Sequence, residues 1–186
     1  YWFRHLPKEN ALYVQCNFVI NRAAFAEMLA HIGMHPPEGA GAAAANETFA
    51  EFFGRALRFA EEHRVDRFVL DLRLNGGGDN SLLRPVIHEF IRSSRVNRKG
   101  HFFVLIGRRT QSAAQNFVNL LELDTEVTFA GEPTGERPNM YGDPAPITLP
   151  SSKVAIELST LYWQDMGPLD TRNATVAAIP VALSAA

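Results

Sequence analysis

The chain has 186 residues, of which 46% are hydrophobic and 20% are charged, and its formal net charge is −2. This length predicts one domain, long enough to bury a core without disulfides or metal ions. The composition excludes collagen-like, coiled-coil and wholly disordered chains. No basic tract is present, which argues against a nucleic-acid partner, and no apolar run reaches the ~18 residues of a transmembrane helix. Because the chain opens at Tyr1 without an initiator methionine, we expect it to be a fragment of a longer protein.

The single cysteine, Cys16, excludes an internal disulfide and a zinc site built from thiolates. It lies in the apolar run 12–20, LYVQCNFVI, whose β-branched and aromatic residues predict a strand, so we expect a buried, structural thiol. A short helix is predicted over 23–32. Residues 35–46, HPPEGAGAAAAN, are rich in proline, glycine and alanine and predict a flexible surface loop.

The rest of the chain alternates strands with helices. Asn46 or Thr48 is expected to cap a helix whose phenylalanines recur at the spacing of a buried face. The predicted elements that follow are a strand at 67–72, a helix at 81–94, a strand at 101–107, a helix at 112–123, a strand at 127–130, a Gly/Pro loop at 131–143, a hairpin of strands 147–149 and 154–160, and an extended tail at 175–183. This order predicts an α/β fold with a largely parallel sheet, helices packed on it and a C-terminal hairpin. In such sheets ligands bind at the carboxyl ends of the strands.

One predicted strand end carries the glycine run Gly76-Gly77-Gly78, within DLRLNGGGDN. Glycines permit positive φ and leave backbone N–H groups uncovered, so several amides can converge on an anionic oxygen. A phosphate site is disfavoured, because Asp79 follows the last glycine where a Walker loop has lysine, and the run does not match the dinucleotide fingerprint. A tight turn from strand to helix and a site for an oxyanion both remain open.

The next strand end carries Ser112, within RRTQSAAQN, at the predicted start of a helix. Small residues follow it, so its hydroxyl and the N–H of Ala113 would be open to a ligand. A serine at this place is most often a helix N-cap. The alternative is a nucleophile whose tetrahedral intermediate is held by the Ala113 amide and a glycine amide.

Taken in order, DLRLNGGG, an apolar strand, RRTQSAAQN, VTFAGEPTG and the hairpin closely resemble the tail-specific (C-terminal-processing) and tricorn-like serine peptidases. The resemblance covers residues 69–181 and is strongest in 71–78, 110–116 and 131–135. It implies a ClpP/crotonase-like core that hydrolyses bonds in a peptide or unfolded protein and needs no metal or organic cofactor.

The resemblance also implies roles for single residues. Ser112 takes the place of the nucleophile, and the amide of Ala113, with that of Gly76 or Gly77, takes the place of the oxyanion hole. The residues expected to contact substrate are Gly78, Gln115 and Arg137. Gln115 stands where the family has a glutamate, which keeps the hydrogen bonding and loses the charge.

At the position of the general base, this sequence departs from the family pattern. Arg137 stands where members with a Ser-Lys dyad have lysine, and a guanidinium cannot act as a base. Binding a carboxylate and forming a surface ion pair are the roles left open to it. The tricorn-like branch uses a histidine and an acid instead, and none of the six histidines lies in a matching motif. We therefore expect a histidine from outside this chain.

The expected acid is Asp170, which lies 58 residues after Ser112, and Asp165 is a weaker candidate. For both, the alternative is a solvated loop aspartate. The sequence thus predicts a serine peptidase core, while the compartment and the oligomeric state stay open. Its rival is a non-catalytic module of the same fold that binds peptides or supports assembly, and the third alternative is a phosphate or nucleotide site at the glycine loop.

Overall fold

The computed structural model describes residues 1–31, 33–34 and 46–182. Its helices are α1 (Arg22–His31), α2 (Phe49–Glu62), α3 (Leu83–Arg92) and α4 (Ala113–Asp124), and a 3-10 turn (Asn80–Leu82) precedes α3. Its strands are β1 (Trp2–Leu6), β2 (Ala11–Gln15), β3 (Arg67–Asp71), β4 (Phe102–Ile106), β5 (Thr128–Gly131), β6 (Asn139–Thr148), β7 (Ala155–Gln164) and β8 (Ile179–Pro180). The loop predicted at 35–46 lies outside the described residues, apart from Asn46. In these described ranges, no helix has the length and apolar character that a membrane span requires.

In the described part of the chain, six strands form one sheet in the order β1-β2-β3-β4-β5-β8, and β6 pairs with β7 in a separate two-stranded sheet. β1 and β2 are antiparallel, whereas the other neighbours in the large sheet are parallel. This arrangement confirms the predicted α/β fold class. Because parallel strands end at the same edge of a sheet, the segments that follow β3 and β4 are neighbours.

Aromatic side chains pack helices α2 and α3 against the sheet and α4 against α2. α2 begins with a capping box between Thr48 and Glu51, so Thr48 is the cap. The ring of Phe53 on α2 lies 5.8 Å from that of Phe90 on α3, and Phe90 stacks on Phe102 of β4 with 4.6 Å between centroids. Each such buried side chain stabilises the fold by about 1.5–3 kcal/mol. The packing therefore fixes the starts of α3 and α4 at the carboxyl edge of the sheet.

The strand predicted at 12–20 is shorter than expected, because β2 ends at Gln15. Beyond it the chain turns towards the glycine loop, where Val19 forms a parallel bridge with Gly78. The helix predicted at 81–94 likewise begins as a 3-10 turn and continues as α3.

The prediction for the hairpin was wrong in its extent. The Gly/Pro loop predicted at 131–143 ends before Asn139, where β6 begins, and both hairpin strands have ten residues. Pro144 and Pro146 interrupt the strand pattern in the sequence. Among the described residues, however, β6 pairs with β7 alone, and proline is tolerated where its missing N–H faces an open edge. Within the described part of the predicted tail, only Ile179–Pro180 pairs with the sheet.

Candidate active site

Two loops meet at the carboxyl edge of the sheet, one after β3 and one after β4. Thr110 is fully buried, and its hydroxyl donates to the carbonyl of Leu72 over 2.8 Å. The N–H of Gln111 donates to the carbonyl of Asn75 over 3.1 Å. A side-chain and a backbone hydrogen bond therefore hold the loop that carries Ser112 against the glycine loop.

Asn75 fixes the shape of the glycine loop from within the core. Its buried Nδ2 donates to the carbonyl of Cys16 over 2.9 Å, and its Oδ1 accepts the N–H of Gly77 over 2.9 Å. The carbonyl of Gly77 in turn accepts the N–H of Val19 over 2.9 Å. These contacts hold Gly77 at a φ of +113°, which lies in the left-handed region that favours glycine.

Ser112 immediately precedes α4 in an unusual backbone conformation. Its φ is 53° and its ψ is −130°, a combination that costs a residue other than glycine about 1–3 kcal/mol. Although Ser112 occupies the N-cap position, its side chain makes no capping hydrogen bond, and the residue is exposed. The N-cap interpretation is therefore not supported. A strained, exposed serine at a turn from strand to helix is the arrangement that presents the nucleophile in α/β-hydrolases.

The glycine loop passes directly against Ser112. A Cβ added at Gly77 would lie 2.6 Å from Ser112 Cβ, 3.0 Å from Ser112 Oγ and 3.1 Å from the backbone nitrogen of Ala113. Real Cβ atoms do not approach other atoms this closely, so glycine is needed for the two loops to meet. The structure thus brings together the two strand-end motifs that the sequence analysis selected separately.

Several backbone amides of the two loops that meet at the serine have no hydrogen-bond partner. In the described ranges, the N–H groups of Ala113, Gly76 and Gly78 have no acceptor. The N–H of Gly77, which was expected to be available to an oxyanion, donates to Asn75 instead. Gly77 therefore leaves space beside the serine because it has no side chain, whereas the neighbouring residues have the N–H groups without an acceptor.

The bridge to Val19 determines the direction of the Gly78 amide. Val19 bonds to the carbonyl of Gly77 and to the N–H of Asp79, the two groups that flank Gly78. Because successive backbone groups of an extended segment point to opposite sides, the N–H of Gly78 points away from Val19. This amide consequently has no hydrogen-bond partner among the described residues.

The segment after β5 lies against the serine loop. At Gly135 an added Cβ would lie 2.1 Å from the carbonyl oxygen of Arg108, so the two backbones are in close contact. The carboxylate of Glu136 accepts the N–H of Ser112. Arg137 is exposed, and with Glu136 it lines a cavity of about 600 Å³. This cavity therefore opens beside the candidate nucleophile.

Gln115, expected at the substrate, is fully buried one turn into α4. Its Nε2 donates to Asn119 Oδ1 over 2.8 Å and to Thr175 Oγ1 over 3.0 Å. Its Oε1 has no partner in the described part of the chain. The contacts of Gln115 thus tie α4 to the C-terminal segment beneath the serine.

The two candidate acids lie in different surroundings. Asp165 directly follows β7, and its Oδ2 accepts Asn116 Nδ2 over 2.6 Å and Asn119 Nδ2 over 3.1 Å. Asn116 lies one turn along α4 from Ser112, because its N–H donates to the Ser112 carbonyl over 3.1 Å. Asp165 is therefore held beside the first turns of α4.

Asp170 is committed to an ion pair. Both of its carboxylate oxygens accept hydrogen bonds from Arg172, which lower the pKa of Asp170. Arg172 also binds Glu122, ten residues after Ser112 and so ~15 Å further along the axis of α4. The described contacts of Asp170 are thus directed towards the end of α4.

None of the described histidines forms a hydrogen bond with the serine. His101 binds the carbonyl of Asp66, at the amino ends of β3 and β4 and therefore at the opposite edge of the sheet. His63 stacks on Phe59 of α2 with 3.8 Å between ring centroids. Among the described residues, no histidine or lysine forms a hydrogen bond with Ser112.

Two further residues with sequence-based predictions, Cys16 and Asp79, lie next to or within the glycine loop. Cys16 is fully buried, as predicted for a structural thiol, and burial raises its pKa to about 12. The carboxylate of Asp79 accepts the N–H of Ser81 over 2.9 Å at the start of the 3-10 turn. A carboxylate thus occupies the end of this turn that a phosphate would need.

Sequence reasoning missed Asn75, Thr110 and Glu136 as parts of the site. Asn75 and Thr110 are polar residues next to the glycine run and the serine, and that position was the available signal. Glu136 gave no signal, because its contact with Ser112 spans 24 residues of sequence.

No family model and no curated protein matches this chain. Solved structures do match it, and one is a Bacteroides fragilis NCTC 9343 protein assigned to the S41 proteases, with 16% identity and a TM-score of 0.57 over 97% of this chain and 50% of that one. Another is the photosystem II D1 C-terminal processing protease, with 15% identity and a TM-score of 0.55 over 92% of this chain and 42% of that one. A third is mature CPAF in complex with lactacystin, with 11% identity and a TM-score of 0.55 over 91% of this chain and 47% of that one. The chain thus spans about half the length of these proteins, and its fold is that of the S41 peptidases.

Proposed function

We propose that this chain is the core of a serine peptidase in which Ser112 attacks the carbonyl of an extended peptide. The observation that carries the proposal is the contact between the two strand-end loops, where Gly77 leaves no room for a side chain beside Ser112. The strained backbone of the serine and the uncommitted amides around it support the same role.

The amides of Ala113 and Gly78 are our assignment for the oxyanion hole, with Gly76 as the second choice for the glycine donor. The Ala113 amide directly follows the nucleophile, and the Gly78 amide points away from its bridge to Val19. Removal of one such donor typically slows acyl transfer by about 100- to 1000-fold. Arg137, exposed in the adjoining cavity, is assigned to a carboxylate of the substrate.

The base in this proposal is a histidine from outside these 186 residues. It takes the proton of Ser112 Oγ and passes it to the leaving amine. We place Asp165 ahead of Asp170 as the acid that orients this histidine. Asp165 lies beside the first turns of α4, and its Oδ1 has no partner in the described ranges, whereas both oxygens of Asp170 bind Arg172.

The test is labelling of the full-length protein with a fluorophosphonate probe. Labelling should be lost in Ser112→Ala and kept in Ser81→Ala, a matched control because Ser81 is also an exposed serine near the start of a helix. Asp165→Asn should slow labelling more than Asp170→Asn does. Equal labelling of the two serine variants would contradict the assignment of the nucleophile.

A second candidate function is a non-catalytic module that binds peptides. It is favoured by the observation that Ser112 Oγ has no hydrogen-bond partner in the described part of the chain, so nothing there activates it. If the full-length protein binds a peptide but takes up no probe, this module is the better assignment. A thermal shift induced by nucleotide would instead support a phosphate site, against which Asp79 argues.

A further inference from the structure

The hairpin β6–β7 carries an apolar stripe along one of its faces. Residues that pair across the hairpin share a face, and alternate residues of β7 point to opposite faces. The large, exposed members of one face are Tyr141, Ile147, Leu149, Val154, Ile156, Leu158 and Tyr162, which we call the apolar stripe. Tyr141 is 72% exposed and Leu158 is 57% exposed, so the stripe is open along its length.

Two polar residues near the middle of this face, Asp143 and Thr160, are bonded within the hairpin. Asp143 has a φ of 51°, and its carboxylate accepts Trp163 Nε1–H over 2.6 Å. Trp163 pairs with Met140 and belongs to the opposite face. The hydroxyl of Thr160 donates to the carbonyl of Asp143 over 2.6 Å. The carboxylate of Asp143 is thus bound to a residue of the opposite face, and the seven residues of the stripe are themselves uncharged.

The stripe begins at the candidate active site. Tyr141 and Tyr162 form its base, with 4.8 Å between their ring centroids. Both line the cavity that Glu136 and Arg137 also line, and Glu136 accepts the N–H of Ser112. A chain lying along the stripe would therefore reach the cavity next to the nucleophile.

The size of the stripe distinguishes between its occupants. Strands of ten residues span about 33 Å, and a two-stranded face of that length covers roughly 300–400 Å². A stable interface buries about 800 Å² of accessible surface and about 20–30 residues on each partner. The seven residues of the stripe are therefore too few to hold a second copy of the chain by themselves. An exposed apolar patch of this size on a two-stranded sheet, which is marginally stable by itself, fits a transient partner.

We propose that the apolar stripe binds an extended, apolar segment of the polypeptide substrate and leads it to Ser112. This inference rests on the proposed function. Because the stripe residues are uncharged, they recognise the apolar side chains of a segment and do not require the charged end of a chain. Every second side chain of such a segment would pack against the stripe.

The test measures binding in the Ser112→Ala variant of the full chain, so that it does not depend on catalysis. The probe is a fluorescein-labelled, C-terminally amidated ten-residue peptide of alternating leucine and serine, and the comparison peptide has glutamate in place of leucine. In fluorescence anisotropy, Leu158→Lys should weaken binding of the leucine peptide about tenfold or more, because an apolar contact gives way to a charge that must be desolvated. Ser159→Lys, one residue away on the opposite face, should change it less than about twofold.

Ile156→Lys provides an independent second substitution in the stripe, and circular dichroism confirms that each variant is folded. Equal affinity of the Leu158→Lys and Ser159→Lys variants, or equal binding of the two peptides, would overturn the proposal. So would light scattering that shows a dimer which Leu158→Lys alone dissociates, since a second copy would then be the occupant. If the peptide binds but the parent protein takes up no probe, the proposed peptidase activity is refuted and the binding role of the stripe stands. If the parent protein is labelled but the peptide does not bind, the binding role of the stripe is refuted and the peptidase activity stands.

Discussion

Gly77→Ala tests whether the contact between the two strand-end loops is as close as the structure shows. The added methyl group would lie 2.6 Å from Ser112 Cβ and 3.1 Å from the nitrogen of Ala113. Neither atom can move alone, because Ser112 has a constrained backbone and Ala113 begins α4. The loops must therefore separate, or the start of the helix must shift.

The expected cost has two parts. An alanine at a φ of +113° is strained by about 1–3 kcal/mol. Overpacking a close contact adds about 1–3 kcal/mol. We therefore expect the free energy of unfolding to fall by roughly 2–6 kcal/mol, measured by urea denaturation, and the rate of fluorophosphonate labelling to fall with it.

Gly76→Ala is the matched control. No atom lies within 4 Å of a Cβ added at Gly76, and the residue does not have a positive φ, so its neighbour in the same loop should tolerate the methyl group to within about 0.5 kcal/mol. If both variants unfold at the same urea concentration, the loops are not in contact and the reasoning about the site fails.

Three further changes address the backbone, the core and the charge of the site. Ser112→Gly should raise the free energy of unfolding by about 1 kcal/mol relative to Ser112→Ala, since glycine relieves the strain at a φ of 53°. Both variants should lose probe labelling, and equal free energies of unfolding would mean that the serine is unstrained. Asn75→Ala should lower the free energy of unfolding by about 1–3 kcal/mol, because it leaves an N–H of the glycine loop and the Cys16 carbonyl without their partner, and thermal denaturation checks this. Burial opposes the charge of Asp71, but hydrogen bonds, chiefly from Arg73, outweigh it and hold the pKa of its carboxyl below the usual range. The stabilisation is therefore present above the ordinary pKa of an aspartate and is lost as the pH falls through the lower folded-state pKa. Asp71→Asn should therefore be less stable at pH 7 and should lose less stability on acidification to about pH 3 than the parent chain, as urea denaturation at the two pH values would show.

The sequence was sufficient to predict the parallel strands of the sheet and the two motifs at its edge, but not the antiparallel strand β1. Apolar strands at 67–72 and 101–107, each followed by small or polar residues and then a helix, leave few alternatives to parallel pairing. Parallel pairing alone places the glycine run next to Ser112, because both segments follow neighbouring strands. The prediction of the site thus required only the strand order.

The parts that could not be predicted depend on contacts between distant residues. The role of Asn75 depends on its hydrogen bonds with the carbonyl of Cys16, 59 residues earlier, and with the amide of Gly77. Neither partner can be predicted from the residue type. The length of the hairpin was missed because prolines and glycines in 131–146 are typical of loops. Only the pairing with β7, whose strand alternates over ten residues, shows that β6 is extended there.

The backbone at the site supports a role for the serine hydroxyl independently of any resemblance to peptidases. Position 112 holds a serine at a φ of 53°, where glycine would be relaxed and the fold more stable. Three residues of the neighbouring loop are glycines, and at Gly77 the close approach to Ser112 excludes any other residue. The chain therefore has flexible glycines in one loop and a strained serine in the other at the point where the two loops meet. Packing gains nothing from this choice, because Ser112 is exposed and makes no capping bond, whereas a reaction at Ser112 Oγ would account for both.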